Sequence, residues 1–121
     1  MRAQHTILVA DDDAHLRAAV RSRLKAVGLK VVEAESGVEV LREYLGQPVD
    51  AILLDQEMPG GDGKTIARFI RKESDVPIIF LSGHPREDFR MVVRQLPDVY
   101  FLAKPFDGPK LVDLLNSLWL N

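Results

Sequence analysis

The chain alternates short apolar runs with segments whose apolar residues recur every three or four positions. Five runs have the length and composition of β-strands, and their bounds are 5–10, 29–34, 51–55, 76–81 and 99–103. The third run is apolar up to a final carboxylate, which is typical of a strand buried on both faces. The second run is less apolar, which indicates a strand nearer the edge of a sheet.

The segments between these runs have the spacing of amphipathic helices. In the first helix the apolar side chains belong to Leu16, Val20, Leu24 and Val27, at spacings of four, four and three. Gly28 follows directly and is placed to end the helix.

The other helices are recognised in the same way. Ser36 is in position to cap the second helix, which is expected over residues 37–45. Pro85 is in position to begin the fourth helix, and the segment 107–109 is in position to begin the fifth helix. The third helix is expected over residues 64–72. The apolar positions at helical spacing are Val38, Leu41 and Leu45 in the second helix, Ile66, Phe69 and Ile70 in the third, Phe89, Val92, Val93 and Leu96 in the fourth, and Leu111, Leu114, Leu115 and Leu118 in the fifth. Those of the second and fifth helices are expected to face inward.

Strict alternation of strands and helices predicts an α/β protein. Such a pattern favours a parallel sheet with right-handed crossovers and helices on both faces. With 121 residues, the chain is expected to form one domain over residues 1–121, without an effector domain. The expected architecture is a flavodoxin-like, doubly wound five-stranded sheet with strand order 2-1-3-4-5 and five flanking helices.

Composition narrows the classes of function. The chain has no cysteine, which excludes disulfide frameworks and thiolate metal sites and fits a reducing cytoplasm. A net charge of −2 provides no electrostatic basis for direct nucleic-acid binding. No apolar stretch approaches the ~20 residues of a membrane-spanning helix, and no signal peptide is recognisable. We therefore expect a cytoplasmic protein that contacts neither nucleic acid nor membrane.

Polar residues stand where four of the predicted strands end. Asp11 and Asp12 follow the first strand, Asp55 ends the third, Ser82 follows the fourth, and Lys104 follows the fifth. Because parallel strands share one carboxyl edge, these side chains are expected to converge. Three close carboxylates repel one another, and a hard divalent cation relieves that repulsion. A lysine and a hydroxyl suit phosphate oxygens, so the set predicts phosphoryl transfer to a carboxylate.

These residues also match a known pattern. With the Met-Pro-Gly turn at 58–60, Gly83 after Ser82, and the Lys-Pro-Phe segment at 104–106, their order and spacing resemble the receiver domain of two-component response regulators. The resemblance extends from Ile7 to Leu118 and includes the single-domain chemotaxis-type regulators. It implies a phosphorylation-dependent signalling switch that catalyses only its own phosphorylation and dephosphorylation.

The resemblance assigns roles at the carboxyl edge. It implies that Asp55 accepts a phosphoryl group from a sensor histidine kinase or a histidine phosphotransfer protein. It implies that Mg²⁺ or Mn²⁺ is held by Asp11, Asp12 and Asp55 and by the backbone carbonyl of Glu57, with Asp12 a direct ligand. Lys104 is then the phosphate-binding lysine.

The resemblance also implies a conformational switch. Ser82 is expected to move toward the phosphoryl group, and Phe101 to fill the space that Ser82 leaves. The Lys104–Pro105 bond is expected to be cis, as in relatives. A downstream effector protein or an attached output domain would read the change.

Two other functions are compatible with parts of the sequence. Residues 63–65, Gly-Lys-Thr, are similar to the end of a phosphate-binding P-loop, but Met58 stands where that motif needs a glycine. The second alternative is a receiver-like binding module that works without phosphorylation. Asp13 is expected to be a solvated helix cap rather than part of the site.

A surface on the fourth helix, fifth strand and fifth helix is a candidate for homodimerisation, as in many receivers. Val112 and Trp119 share a second side of the last helix, seven residues apart. Arg86, Arg90 and Arg94 would form a basic stripe on the fourth helix. The alternative is that the stripe is solvated and that Trp119 folds over the sheet edge or is exposed.

Overall fold

Strands and helices alternate strictly along the chain. The structure is a computed structural model that describes residues 4–60, 62–83 and 87–119, with the backbone alone at residues 88 and 89. The elements are β1 Thr6–Ala10, α1 Ala14–Ala26, β2 Lys30–Ala34, α2 Gly37–Gly46, β3 Ala51–Asp55, α3 Gly63–Glu73, β4 Ile78–Ser82, α4 Glu87–Gln95, β5 Val99–Ala103 and α5 Gly108–Trp119.

The five strands form one parallel sheet in the order β2-β1-β3-β4-β5, which confirms the predicted topology. Every residue of β1, β3 and β4 is buried. The edge strands β2 and β5 are only partly buried, as the weaker apolar character of the second run predicted. The central strands are apolar on both faces because helices cover both faces of the sheet.

Two apolar layers enclose the sheet. One layer joins the sheet to α2, α3 and α4, and its fully buried side chains include Leu54, Ile70 and Phe80. The other joins the sheet to α1 and α5, through Leu24 and Leu115 among others. We call these the α2–α4 layer and the α1/α5 layer.

Several predicted helix ends are confirmed. The Ser36 hydroxyl accepts a hydrogen bond from the amide of Glu39 at 3.3 Å and so caps α2. Gly28 follows α1 with a φ of 87°, a left-handed conformation that favours glycine. Asp13 caps α1, as expected, by accepting hydrogen bonds from the amides of His15 and Leu16.

The predicted inward face of α2 is wrong in part. Val38 is 57% exposed and Leu45 is 67% exposed, whereas Val40 is fully buried. Leu41 and Tyr44 pack against the α2–α4 layer beside Val40. Both sets of positions have helical spacing, so spacing alone does not determine which side of the helix faces the core. In the fold, the side of α2 that carries Val40 and Tyr44 faces the core. Gly37 is buried beside the turn at residues 59–60, and its amide donates to the Pro59 carbonyl at 3.0 Å.

The other helices follow the prediction with fewer changes. Phe69 of α3 is 39% exposed, while its predicted neighbours Ile66 and Ile70 are buried. Leu111 and Leu115 are the buried residues of α5. The predicted opening of the fourth helix at Pro85, together with His84 and Arg86, lies outside the described residues. Among the described helices, none has the length and apolar character to cross a membrane.

An arginine joins three segments at the amino edge of the sheet. From the last turn of α3, Arg71 donates to the carbonyls of Ser74 at 2.9 Å, Val76 at 2.8 Å and Asp98 at 3.1 Å. Asp98 has a φ of 55°, which is uncommon for a residue other than glycine. The guanidinium thus ties the end of α3 to the segments that lead into β4 and β5.

We expect Arg71→Ala to lower the free energy of unfolding by about 1–3 kcal/mol, because it removes charge-assisted hydrogen bonds from three carbonyls. Urea denaturation followed by circular dichroism measures the change. Arg68→Ala, at an exposed position on the same helix, is the matched control and should stay within about 0.5 kcal/mol of the parent. Equal losses in the two variants would contradict a role for the three carbonyl contacts.

Candidate functional site

Parallel pairing brings four strand ends to one edge of the sheet. Asp55 pairs with Leu81, and Ser82 pairs with Ala103, so the last residues of β3, β4 and β5 lie side by side. A cleft of about 330 Å³ opens at this edge. The predicted site residues in its lining are Asp11, Asp12, Asp55, Glu57, Ser82 and Lys104, and Gly83 and Asp13 line it too. Asp13 thus caps α1 and also lines the cleft, so the expectation that it lies outside the site is wrong in part.

The three predicted acidic ligands are close to one another. Asp11 is fully buried, Asp55 is 5% exposed, and Asp12 is exposed. One carboxylate oxygen from each lies within 4.8 Å of the other two. The Asp13 amide donates to Asp11 Oδ1 at 2.9 Å and holds that carboxylate in place. Carboxylate oxygens at this spacing fit a hard divalent cation, so this cluster has the donor set for a metal site.

Lys104 bridges two of these acids. Its Nζ donates to Asp11 Oδ2 at 2.7 Å and to Asp55 Oδ1 at 3.3 Å. The Lys104 amide donates to the Ser82 carbonyl at 2.7 Å, and the following bond to Pro105 is cis, as the resemblance implied. Burial disfavours the charged ammonium, but the hydrogen bond to Asp11 and the charges of Asp55 and Asp11 outweigh it. The pKa of Lys104 is therefore raised, and the lysine stays charged.

The pKa of Asp55 is also raised, from an ordinary 3.8 to about 6. Burial is the largest cause, and the negative charge of Asp11 is the next. The Lys104 charge and the hydrogen bond from the Glu57 amide, at 3.4 Å, oppose this rise. Asp55 is thus a buried carboxylate that ionises near neutrality, with its charge offset by one lysine.

The predicted switch residues lie on the side of the sheet that α4 covers. Ser82 is 5% exposed at the end of β4. Phe101 is partly buried and packs against the α2–α4 layer. Glu57 is exposed and lines the cleft, and its amide donates to Asp55 Oδ1 at 3.4 Å.

Sequence reasoning missed Arg17. Its Nη1 donates to the carbonyl of Asp11 at 2.7 Å, and its Nε donates to Glu33 at 3.2 Å. Arg21, one turn later, donates to the same Glu33 at 2.6 Å. The two arginines therefore anchor α1 and the Asp11 backbone to β2. A four-residue spacing of arginines is typical of a solvated helix face, and the sequence gives no sign of this pairing because the partner Glu33 lies on a different element.

Gln56 was also missed. It is 4% exposed, and neither its Nε2 nor its Oε1 has a hydrogen-bond partner in the described structure. In the sequence it stands between Asp55 and a Pro-Gly turn, where a polar residue is ordinarily solvated. Only the packing of the strand ends shows that this amide is enclosed.

Asp55 should make stability depend on pH. Between the ordinary pKa of 3.8 and the folded value of about 6, the folded protein binds more protons at Asp55 than the unfolded chain does. The contribution of Asp55 to the free energy of unfolding therefore falls as pH rises through this range. Asp55→Asn should give a higher urea midpoint than the parent at about pH 7.5, with a smaller difference at about pH 4.

The measurement is made with chelator, so that no metal contributes. Asp75→Asn replaces an exposed carboxylate away from the cleft and should produce no such pH-dependent difference. A midpoint for Asp55→Asn at or below that of the parent at about pH 7.5 would contradict the unfavourable ionisation of Asp55.

Comparison with known proteins identifies the family of the chain. The family model for the response regulator receiver domain matches residues 7–116. The transcriptional regulatory protein ResD of Bacillus subtilis is 36% identical over 112 residues, which cover 93% of this chain and 47% of ResD. The chain thus spans about half the length of the curated relatives it matches.

Solved structures agree with the sequence match. A response regulator receiver protein from Sinorhizobium medicae is 30% identical, with a TM-score of 0.85, and the match covers 95% of this chain and 94% of that one. The chemotaxis protein CheY4 of Vibrio cholerae is 25% identical, with a TM-score of 0.86 and coverage of 95% and 98%. The fold and the sequence match therefore agree: the chain belongs to the response regulator receiver domain family of two-component signalling.

Proposed function

We propose that this receiver is switched by phosphorylation of Asp55, with the phosphohistidine of a sensor histidine kinase or a histidine phosphotransfer protein as donor. The observation that carries the proposal is the position of Lys104, whose ammonium contacts both Asp11 and Asp55. A buried carboxylate with a charged lysine beside it, in an open cleft, suits attack on a phosphoryl group.

The reaction follows from the charges around Asp55. At neutral pH a pKa of about 6 leaves Asp55 mostly ionised, so an oxygen lone pair is available as nucleophile. That oxygen forms a bond to phosphorus while the bond from phosphorus to the histidine nitrogen breaks, and the electron pair stays on the imidazole. Lys104 offsets negative charge on the transferred oxygens. Attack by water on phosphorus later releases inorganic phosphate and restores the carboxylate.

The acidic cluster supports a cation requirement. Asp11, Asp12 and Asp55 would hold Mg²⁺ or Mn²⁺, together with the backbone carbonyl of Glu57. The bound cation would neutralise charge on phosphoryl oxygens. Asp11 is held by Lys104 and by the Asp13 amide, whereas Asp12 is exposed and presents its carboxylate to the cleft.

The switch would use Ser82 and Phe101. Ser82 lines the cleft, and its hydroxyl is a suitable donor to a phosphoryl oxygen on Asp55. Phe101 packs on the same side of the sheet as α4, where a shift of β4 would change its surroundings. Phosphorylation changes the population of the two states only as far as it favours one over the other.

The partners beyond the phosphodonor are proposed from the family. A downstream effector or an attached output domain would read the switch, since the matched relatives are about twice as long. One relative is named a transcriptional regulatory protein, so the absence of nucleic-acid contact stays a prediction for these 121 residues.

Homodimerisation through α4, β5 and α5 also stays a prediction. Val112 and Trp119 pack against the α1/α5 layer, and Trp119 stacks on His5 with ring centroids 3.9 Å apart. Arg94 is paired with Glu87 of its own helix at 2.7 Å. A dimer would therefore have to use other groups on this face, such as exposed Arg90 and Met91.

We expect the protein to take up one phosphoryl group from acetyl phosphate with Mg²⁺, detected by intact mass, and Asp55→Asn to take up none. The substitution preserves size but removes the nucleophilic charge. Asp75→Asn is the matched control, because it makes the same change at an exposed carboxylate away from the cleft and should leave uptake unchanged. An unchanged mass for the parent would favour the phosphorylation-independent binding module, and persistent uptake in Asp55→Asn would identify another acceptor.

A second test concerns the cation. Asp12→Ala should weaken Mg²⁺ binding by about tenfold or more in calorimetry, because it removes a carboxylate ligand from a site of few ligands. Asp75→Ala, the same change at an exposed aspartate away from the cleft, should bind Mg²⁺ as the parent does. An unchanged affinity in Asp12→Ala would refute the ligand assignment.

A further inference from the structure

Gln56 is a buried polar side chain without a partner, directly after Asp55. The residue is 4% exposed, and both atoms of its amide group lack a hydrogen bond in the described structure. Its backbone, by contrast, is paired, since the amide of Gln56 donates to the carbonyl of Leu81 at 2.9 Å. The backbone pairing to β4 therefore continues one hydrogen bond past the end of β3 at Asp55.

The ladder fixes the side of the sheet on which Gln56 lies. Side chains alternate along a strand, and Ile52 and Leu54 belong to the α2–α4 layer. Gln56 is next in that series, and from this alternation we infer that its side chain lies on the face opposite Asp55. Because Asp55 pairs with Leu81, Gln56 is level with Ser82.

Ser82 lies on the same face as Gln56. On β4, Ile78 and Phe80 belong to the α2–α4 layer, and Ser82 continues their alternation. Phe101 of β5 packs against this layer too. The unpaired side-chain amide of Gln56 is thus next to the end of β4, on the face where Ser82 and Phe101 are proposed to move.

An enclosed amide with no partner is unfavourable and uncommon in folded proteins. The neighbouring buried polar groups do not share this condition. Asp11 accepts hydrogen bonds from Lys104 and from the Asp13 amide, and Asp55 accepts from Lys104 and the Glu57 amide. A conformation that supplied Gln56 with a partner would be favoured relative to the one described here.

We propose that Gln56 is a positioning residue of the switch, whose amide gains a hydrogen-bond partner when the end of β4 rearranges around a phosphoryl group on Asp55. The proposal rests on the proposed function of Asp55. A group that is unpaired in one state and paired in the other shifts the equilibrium toward the second. Gln56 thus destabilises the unphosphorylated state and makes the phosphorylated conformation easier to reach.

Gln56→Met tests this, because methionine has a similar length and no strong hydrogen-bonding group. We expect a higher urea midpoint than the parent without phosphoryl mimic, since the unpaired amide is gone. We also expect the affinity for beryllofluoride with Mg²⁺, measured by fluorine NMR titration, to fall about three- to tenfold. Gln56→Asn, which keeps an amide, should retain more of that affinity.

Gln47→Met is the matched control. Gln47 is half-buried at the end of α2, and its amide already donates to Glu43 at 3.1 Å. The same chemical change there should raise neither the midpoint nor the beryllofluoride dissociation constant.

Three outcomes would overturn the proposal. A lower midpoint for Gln56→Met would show that the amide is satisfied in the unphosphorylated protein. A higher midpoint with unchanged beryllofluoride affinity would show that the amide does not differ between the states. A parent that binds no beryllofluoride would overturn both the proposed function and the proposed role of Gln56. If the parent binds beryllofluoride, either of the first two outcomes overturns the role of Gln56 alone.

Discussion

The ion pair between the Lys104 ammonium and the carboxylates of Asp11 and Asp55 is the interaction on which the site depends. It joins residues that are 93 and 49 positions apart in sequence, at 2.7 and 3.3 Å. Without the lysine, two buried carboxylates would face each other in an enclosed environment with no positive charge between them, which is unfavourable. The parallel sheet makes the contact possible because three strands end at one edge, with the Lys104 amide bonded to the end of β4.

The same contact leaves the site incompletely neutralised. One lysine faces two buried acids and an exposed third, and the pKa of Asp55 rises to about 6. This imbalance costs stability and at the same time suits the chemistry proposed here, since a cation or a phosphoryl group changes the charge of the cleft. Destabilised groups often lie at functional sites for this reason.

Asp55 and Gln56 are two groups in energetically unfavourable environments at the end of one strand. Asp55 carries unfavourable charge toward the cleft, and Gln56, the next residue, holds an enclosed amide that has no hydrogen-bond partner in the described structure. The shared backbone and the pairing to β4 connect the two groups mechanically. The connection explains how an event at the carboxylate could reach the α4 side of the sheet over a short distance.

The sequence by itself determined the element order, the strand order and the identity of the converging residues. Apolar periodicity marks the strands, and each of Asp11, Asp55, Ser82 and Lys104 ends or follows a strand, so parallel topology alone brings them together. Only the tertiary structure decided which side of α2 is buried, because Val38 and Leu45, seven residues apart, and Val40 and Tyr44, four apart, both recur at helical spacing. It also decided the partners of Arg17, the stacking of Trp119 on His5 and the enclosure of Gln56. Those features depend on contacts between segments far apart in the chain, which local spacing does not encode.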